Sequence, residues 1–157
     1  SQLGYQAESG PWRNFYLTGA QDLLKKAVPY TSKLINDGVL SQMDMGTLLD
    51  YCAIQLNGEK AGGKEAVINI NFTDTKEKVM LMLKNGVLNH RLGSQDKKAD
   101  LTMEIAKMDF VKLFFGRTDL QTLRKTNKVK TTGDTKAIDM IRSAYEPADP
   151  NFKIVLP

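Results

Sequence analysis

Hydrophobic and polar positions alternate most clearly between Ala66 and Arg91, in AVININFTDTKEKVMLMLKNGVLNHR. Ile68, Ile70 and Phe72 alternate with Val67, Asn69 and Asn71, which is the period of a strand with one buried face. Thr73-Asp74-Thr75-Lys76 supplies turn formers, and Val79, Leu81 and Leu83 then resume the alternation against Met80, Met82 and Lys84. Asn85-Gly86 tolerates positive φ and suits a two-residue type I′ turn, so Val87 to Arg91 returns as a third strand. The pattern predicts an antiparallel meander whose middle strand is apolar on both sides, in a sheet that needs cover on both faces. Nothing in this stretch carries catalytic chemistry.

On either side the period changes. Met45, Leu48, Leu49, Cys52 and Leu56 share one face at helical spacing, a helix that Asp44 caps and Gly58 ends. Before it, Val28 to Met43 reads as a linker: Pro29 stops the preceding helix and Asn36-Asp37-Gly38 marks a turn. Gly62-Gly63 follows a helix, precedes a strand and lacks the Lys-Ser/Thr pair of a phosphate loop, so it reads as a turn. Downstream, Ser94 to Ala99 is a charged loop and Asp100 to Ile105 a fourth strand. Asp109 to Phe115 is a short helix closed by Gly116, and Thr118 caps the next, with Leu120 and Leu123 inward. Lys128 to Thr132 is an edge strand, its lysines discouraging aggregation. Asp134 caps a last helix carrying Ile138, Ile141 and Tyr145, which Pro147 and Pro150 end. The tail, Phe152 to Leu156, is apolar enough to dock on the body. The count predicts an α+β fold with about five strands, mainly antiparallel, and helices over its faces.

The first 27 residues read as the tail of one helix and the whole of another, separated at Ser9-Gly10-Pro11. Trp12, Phe15, Tyr16, Gly19, Leu23 and Ala27 recur at helical spacing and form an aromatic face that two helices cannot bury alone. Either it packs on the domain that follows, or it is a surface torn from a neighbouring domain or a second copy.

Composition narrows the functional classes. The chain has 157 residues, 41% of them hydrophobic, enough for one domain with its own core and an appended segment. A net charge of +4, spread along the chain, argues against a nucleic-acid partner. No apolar run approaches the roughly 18 residues of a membrane span. The chain opens abruptly at Ser1, as an excised fragment would, so missing targeting signals carry little weight. Cys52 has no partner for an internal disulfide and reads as a small buried hydrophobe. His90 is the single histidine, far in sequence from Cys52, and neither has a second ligand at metal-binding spacing. No catalytic or metal-ligating residue emerges.

A family resemblance enters at LGYQAESGPWRNFYLTGAQ, Leu3 to Gln21. This run resembles the segment that closes the helical dimerisation domain of the metallo-β-lactamase-type alkyl sulfatases. Leu48 to Lys64 (LLDYCAIQLNGEKAGGK), Asn69 to Glu77 (NINFTDTKE), Leu81 to Arg91 (LMLKNGVLNHR) and the closing NFKIVLP resemble their sterol-carrier-protein-like C-terminal domain. The resemblance implies that residues 1–42 are the end of the dimerisation domain and a linker, and residues 43–157 the C-terminal domain. It further implies a bacterial periplasmic or secreted parent, homodimeric, with two zinc ions bound by a His-x-His-x-Asp-His motif in an upstream domain. That motif is absent here, so the fragment alone is not expected to hydrolyse sulfate esters. Arg13 and Asn14, inside the aromatic run, are candidates to approach the parent's catalytic mouth, or else make ordinary helix-surface bonds.

Three roles fit these readings. The chain is an accessory module binding the apolar part of a long-chain alkyl sulfate, alcohol or lipid; or a structural domain that covers the catalytic mouth or steadies the dimer; or a free-standing lipid carrier. For a ligand the candidate lining is Phe72, Leu83, Phe110, Leu113, Phe114, Leu123, Ile141 and Tyr145, chosen for apolar face and helical spacing. A tunnel and a filled core demand the same residues at the same periods.

Overall fold

A computed structural model describes residues 1–24 and 37–146, which belong to two compact units. Readings that fall on the rest, including Ala27, Pro29, Pro147, Pro150 and the apolar tail, lie outside the described residues.

In the first unit, α1 (Gln2–Gln6) and α2 (Gly10–Leu24) pack as a pair, with Gly4 buried against Leu17. The Arg13 guanidinium donates to the carbonyl of Ala7 at 2.9 Å, just past the end of α1. Trp12, Phe15 and Tyr16 lie in mutual ring contact and remain 59%, 50% and 38% exposed, so the pair does not bury its aromatic face.

The second unit is built on one sheet of five strands, β1 (Ala66–Phe72), β2 (Lys78–Lys84), β3 (Val87–Leu92), β4 (Leu101–Ile105) and β5 (Val129–Gly133), in the order β3-β2-β1-β4-β5. The meander forms as the alternation predicts: Ile68 lies opposite Leu81, Ile70 opposite Val79, and Leu83 opposite Leu88. Asn85 and Gly86 take φ of 53° and 75°, the positive values of the tight hairpin turn. β4 pairs with β1 in parallel and β5 closes the other edge antiparallel. Gly133, at φ +107°, pairs with Leu101 so closely that a Cβ there would meet the Asp100 carbonyl at 2.3 Å.

A parallel neighbour needs a crossover, and the asparagines of β1 hold it. The Asn69 side-chain amide donates to the carbonyl of Asp96 at 2.7 Å, and its oxygen accepts from the Asp96 N–H at 3.0 Å. The Asp100 N–H donates to the Val67 carbonyl, and its carboxylate accepts from the Val67 N–H, both at 2.8 Å. This polar face therefore carries the β3–β4 connection, and Asn69 is buried although its position in the alternation reads as solvent-facing.

On the opposite face Ile68, Ile70, Phe72, Val79, Leu81, Leu83, Leu101, Met103, Ile105 and Val129 join helical side chains in a single core. The helices are α3 (Asp37–Gln42), α4 (Met45–Ile54), α5 (Gly58–Ala61), α6 (Lys107–Phe114), α7 (Leu120–Lys125) and α8 (Lys136–Ser143). The fold is mixed α+β, a five-stranded sheet covered by helices, with these helices contributing to that one core.

Several local readings need correction. Residues 37–42 are a helix and not linker or turn, because Leu40 is buried in the core and ties the segment down. Gly58 does not end α4; the helix stops at Ile54, Leu56 bridges Tyr145, and Gly58 opens α5 under an Asn57 side chain that accepts from Glu59 and Lys60 N–H groups. α7 is capped by Asp119, not Thr118: its carboxylate accepts from the Thr122 N–H and hydroxyl, both at 2.8 Å. Asp44 caps α4 as read, whereas the N-cap of α8 is Thr135, with the Asp134 carboxylate accepting from the Lys136 N–H, and Tyr145 lies beyond the helix, which ends at Ser143.

Candidate functional site

The eight candidate lining residues come from β1, β2, α6, α7, α8 and the residue where Leu56 meets Tyr145, and all belong to or pack on the one core. Phe72, Leu83, Phe110, Leu113, Phe114, Leu123 and Ile141 are between 0% and 3% exposed, and Tyr145 is half-buried at the edge. The aliphatic members, Leu83, Leu113, Leu123 and Ile141, are buried in the core, and the aromatic members form a continuous run of ring contacts.

That run starts at the sheet and ends at the surface. Phe72 meets Phe110 edge-on at 5.7 Å, Phe110 meets Phe114 at 6.0 Å, and Phe114 meets Phe115 and Tyr145 at 5.3 and 6.0 Å. Phe115 then touches Tyr145 at 5.4 Å and Tyr51 at 5.7 Å. These are separations at which edge-to-face rings attract beyond their buried area. The helical spacing of Phe110 and Phe114 stacks two of the rings on one side of α6, and Phe115, its C-cap, carries the run outward.

At the outer end lies a cleft of about 100 Å³ lined by Leu40, Tyr51, Phe115, Arg117 and Tyr145. Four separated stretches of chain meet there. Gly116, at φ +69°, reverses the chain after α6, and the Arg117 N–H donates to the Lys112 carbonyl at 2.8 Å, which fixes where the arginine leaves the helix. The Arg117 guanidinium pairs through Nη1 with the Asp37 carboxylate. Burial is the main cause that raises the Tyr145 phenol above its ordinary pKa; the nearby Tyr51 adds to it and Arg117 opposes it. Tyr51 lies off the apolar stripe of α4 and Arg117 falls after a helix-ending glycine, so neither periodicity nor motif singles them out.

The first unit offers different surfaces. Clefts of about 470 and 320 Å³ flank Trp12, one running to Leu3, Ala7 and Tyr16, the other to Pro11 and Phe15. No group of three or more His, Cys, Asp or Glu residues that could hold a metal gathers among the described residues. His90 Nδ1 has one acid near it, Asp50 at 3.7 Å, and Cys52 is buried with its thiol pushed up to about 12 by desolvation, far from the thiolate that a zinc ligand must be. These residues do not fit a zinc ion.

Comparison with known proteins follows the same outline. Residues 33–157 match the family model described as alkyl sulfatase C-terminal. A linear primary-alkylsulfatase from a Pseudomonas species is 38% identical over 158 residues, covering 99% of this chain and 23% of that protein. The solved structure of a stereoselective inverting sec-alkylsulfatase, also from Pseudomonas, aligns with a TM-score of 0.87 and 35% identity over 98% of this chain and 24% of that one. Sterol carrier protein 2 from Yarrowia lipolytica aligns over 77% of this chain and 97% of its own, at 22% identity and a TM-score of 0.40, a likeness too slight to carry an inference. The chain thus spans about a quarter of the length of the alkylsulfatases it matches.

Proposed function

The chain belongs to the alkyl sulfatase C-terminal family, and we propose that it is the non-catalytic accessory domain of such an enzyme, handling the substrate's alkyl chain while an upstream domain hydrolyses the sulfate ester. The observation that carries this reading is the run of rings from the surface cleft at Tyr51 and Tyr145 to Phe72 against the sheet. An alkyl chain entering along it would exchange ring–ring for ring–methylene contact. Each buried methylene is worth about 0.8 kcal/mol. Binding of this uniform kind lowers KM without speeding the chemical step. The zinc chemistry that the resemblance implies belongs, on this reading, to the missing upstream sequence. The exposed Trp12, Phe15 and Tyr16 face of the first unit is read as the end of a helical dimerisation domain, covered in the parent by the remainder of that domain.

A second reading has its own support. Seven of the eight candidates are almost wholly buried, as in a solid core whose task is only to shape the domain. Isothermal titration separates the two. Saturable binding of dodecanol with a negative heat-capacity change supports chain handling; no heat of binding to a chain that circular dichroism shows to be folded supports the structural role.

A further inference from the structure

Of the lining groups of the 100 Å³ cleft, none is a carboxylate and three are donors. Among the described residues neither the Tyr51 nor the Tyr145 hydroxyl has a hydrogen-bond partner, and Arg117 uses only Nη1, toward Asp37, so its Nη2 and Nε are unengaged. A guanidinium presents five N–H donors in a planar fork suited to oxyanions, and one exposed aspartate occupies a minor part of them. The volume holds about three water molecules, the scale of a small oxyanion and far below that of an alkyl chain. Immediately behind the cleft the environment turns apolar, with Phe114 in contact with both Phe115 and Tyr145. A donor-rich mouth whose one cation is shared with Asp37, leading to a run of rings, complements the head and tail of an anionic amphiphile.

We propose that this cleft binds a sulfate oxyanion, either the head group of an alkyl sulfate or inorganic sulfate, with Arg117 supplying the charge and the Tyr51 and Tyr145 hydroxyls donating. The proposal rests on the chain-handling reading only for the case in which the anion carries an alkyl tail. Asp37 competes for Arg117. Anion binding is therefore salt-sensitive, and it strengthens when that carboxylate is removed.

The test is an amide-resolved NMR titration of the whole chain with sodium sulfate, with decyl sulfate below its micelle concentration, and with decanol, each against sodium chloride at matched ionic strength. Both sulfates should shift the Phe115 and Arg117 amides saturably where chloride does not. Arg117→Gln should weaken both sulfates about tenfold, the loss expected when charge-assisted hydrogen bonds go, while decanol binding is kept. Asp37→Asn, which leaves the cleft lining intact, should tighten both sulfates severalfold and guards against a misfolded Arg117 variant. Sulfate shifts no larger than those of chloride, or a natively folded Arg117→Gln that binds decyl sulfate like the parent, would overturn the site. Saturable sulfate with no decanol binding anywhere would uphold the anion site and sink chain handling; decanol binding with no response to either sulfate would do the reverse.

Discussion

The ammonium of Lys107, the first residue of α6, donates to the carbonyl of Met43 and, at 3.1 Å, to that of Ser41, so one buried cation satisfies the C-terminal end of α3. A lysine is rarely buried unless paired, and here Lys107 is 8% exposed. α3 has only six residues, too few to stand by its own hydrogen bonds, and is held by Leu40 in the core and by this contact. Lys107→Met should therefore leave carbonyls unpaired and cost about 1–3 kcal/mol, seen as a lower urea midpoint at unchanged slope. Lys130→Met, at a side chain 86% exposed, should stay within about 0.5 kcal/mol of the parent.

Asn69 makes a similar argument on the other face of the sheet. Its side chain closes two hydrogen bonds with the backbone of Asp96 and so holds the crossover that makes β4 parallel to β1. Asn69→Leu should remove both bonds while leaving the Asp96 backbone groups without a partner. The expected loss is about 1–3 kcal/mol, with faster hydrogen exchange at the Asp96 and Ala99 amides and little change in the hairpin at Asn85-Gly86.

These two residues mark the limit of what the sequence made legible. Features decided locally were readable: the Asn85-Gly86 turn, the Asp44 cap, the alternation of β1 and β2, and the apolar face of α6. α3 was not, since a six-residue helix shows no period and its stability comes from Leu40 and Lys107, contacts distant in sequence. Nor was the covering of Asn69, because alternation cannot distinguish a face open to water from one crossed by a polar loop. Of the candidate lining, Phe110 and Tyr145 each lie in ring contact with Phe114, and Tyr51, Phe115 and Arg117, which border the cleft, were not among the candidates. Tyr51 comes from α4 and Phe115 and Arg117 from the end of α6 and the turn after it, and only the tertiary fold brings the two stretches to the cleft.

The buried thiol gives a pH prediction. Desolvation raises Cys52 from its ordinary 9.0 to about 12, so unfolding favours the deprotonated form. The unfolded chain loses its proton first as pH rises, and stability falls between about 9 and 12, by up to about 4 kcal/mol from this group. Below pH 9 the contribution is complete. Cys52→Ala should flatten that part of the alkaline stability curve. In the parent at pH 8, a thiol reagent should label Cys52 at the rate of unfolding and not at that of a free thiol.

The two aspartate caps predict the opposite slope. Hydrogen bonds from the Thr47 side chain and backbone hold Asp44 below its ordinary 3.8, and those from the Thr122 backbone and side chain do the same for Asp119. A depressed folded pKa gives stability that is complete above the unfolded value and lost as pH falls through the folded one. Asp44→Ala and Asp119→Ala should each lower the thermal midpoint at pH 7, and the difference from the parent should shrink steadily as pH drops below 3.8.

Phe114 lies at the branch of the ring run, touching Phe110, Phe115 and Tyr145, and it is 1% exposed. Phe114→Ala should cost about 3–5 kcal/mol, because the transfer energy of the ring is lost and the surrounding core closes only partly over the space. What decides between the two readings of the domain is the response of that variant to decanol. If the run is a path for an alkyl chain, decanol should enter the vacated space from the Tyr51–Tyr145 cleft and restore much of the lost midpoint, in proportion to the logarithm of its concentration. If the core is sealed, a saturating alcohol should shift the variant and the parent alike. Leu123→Ala is the control, since Leu123 is equally buried but lies outside the ring contacts. It should lose stability without recovering it in decanol, and recovery in both variants would mean that the alcohol stabilises any cavity and that the ring run has no special access.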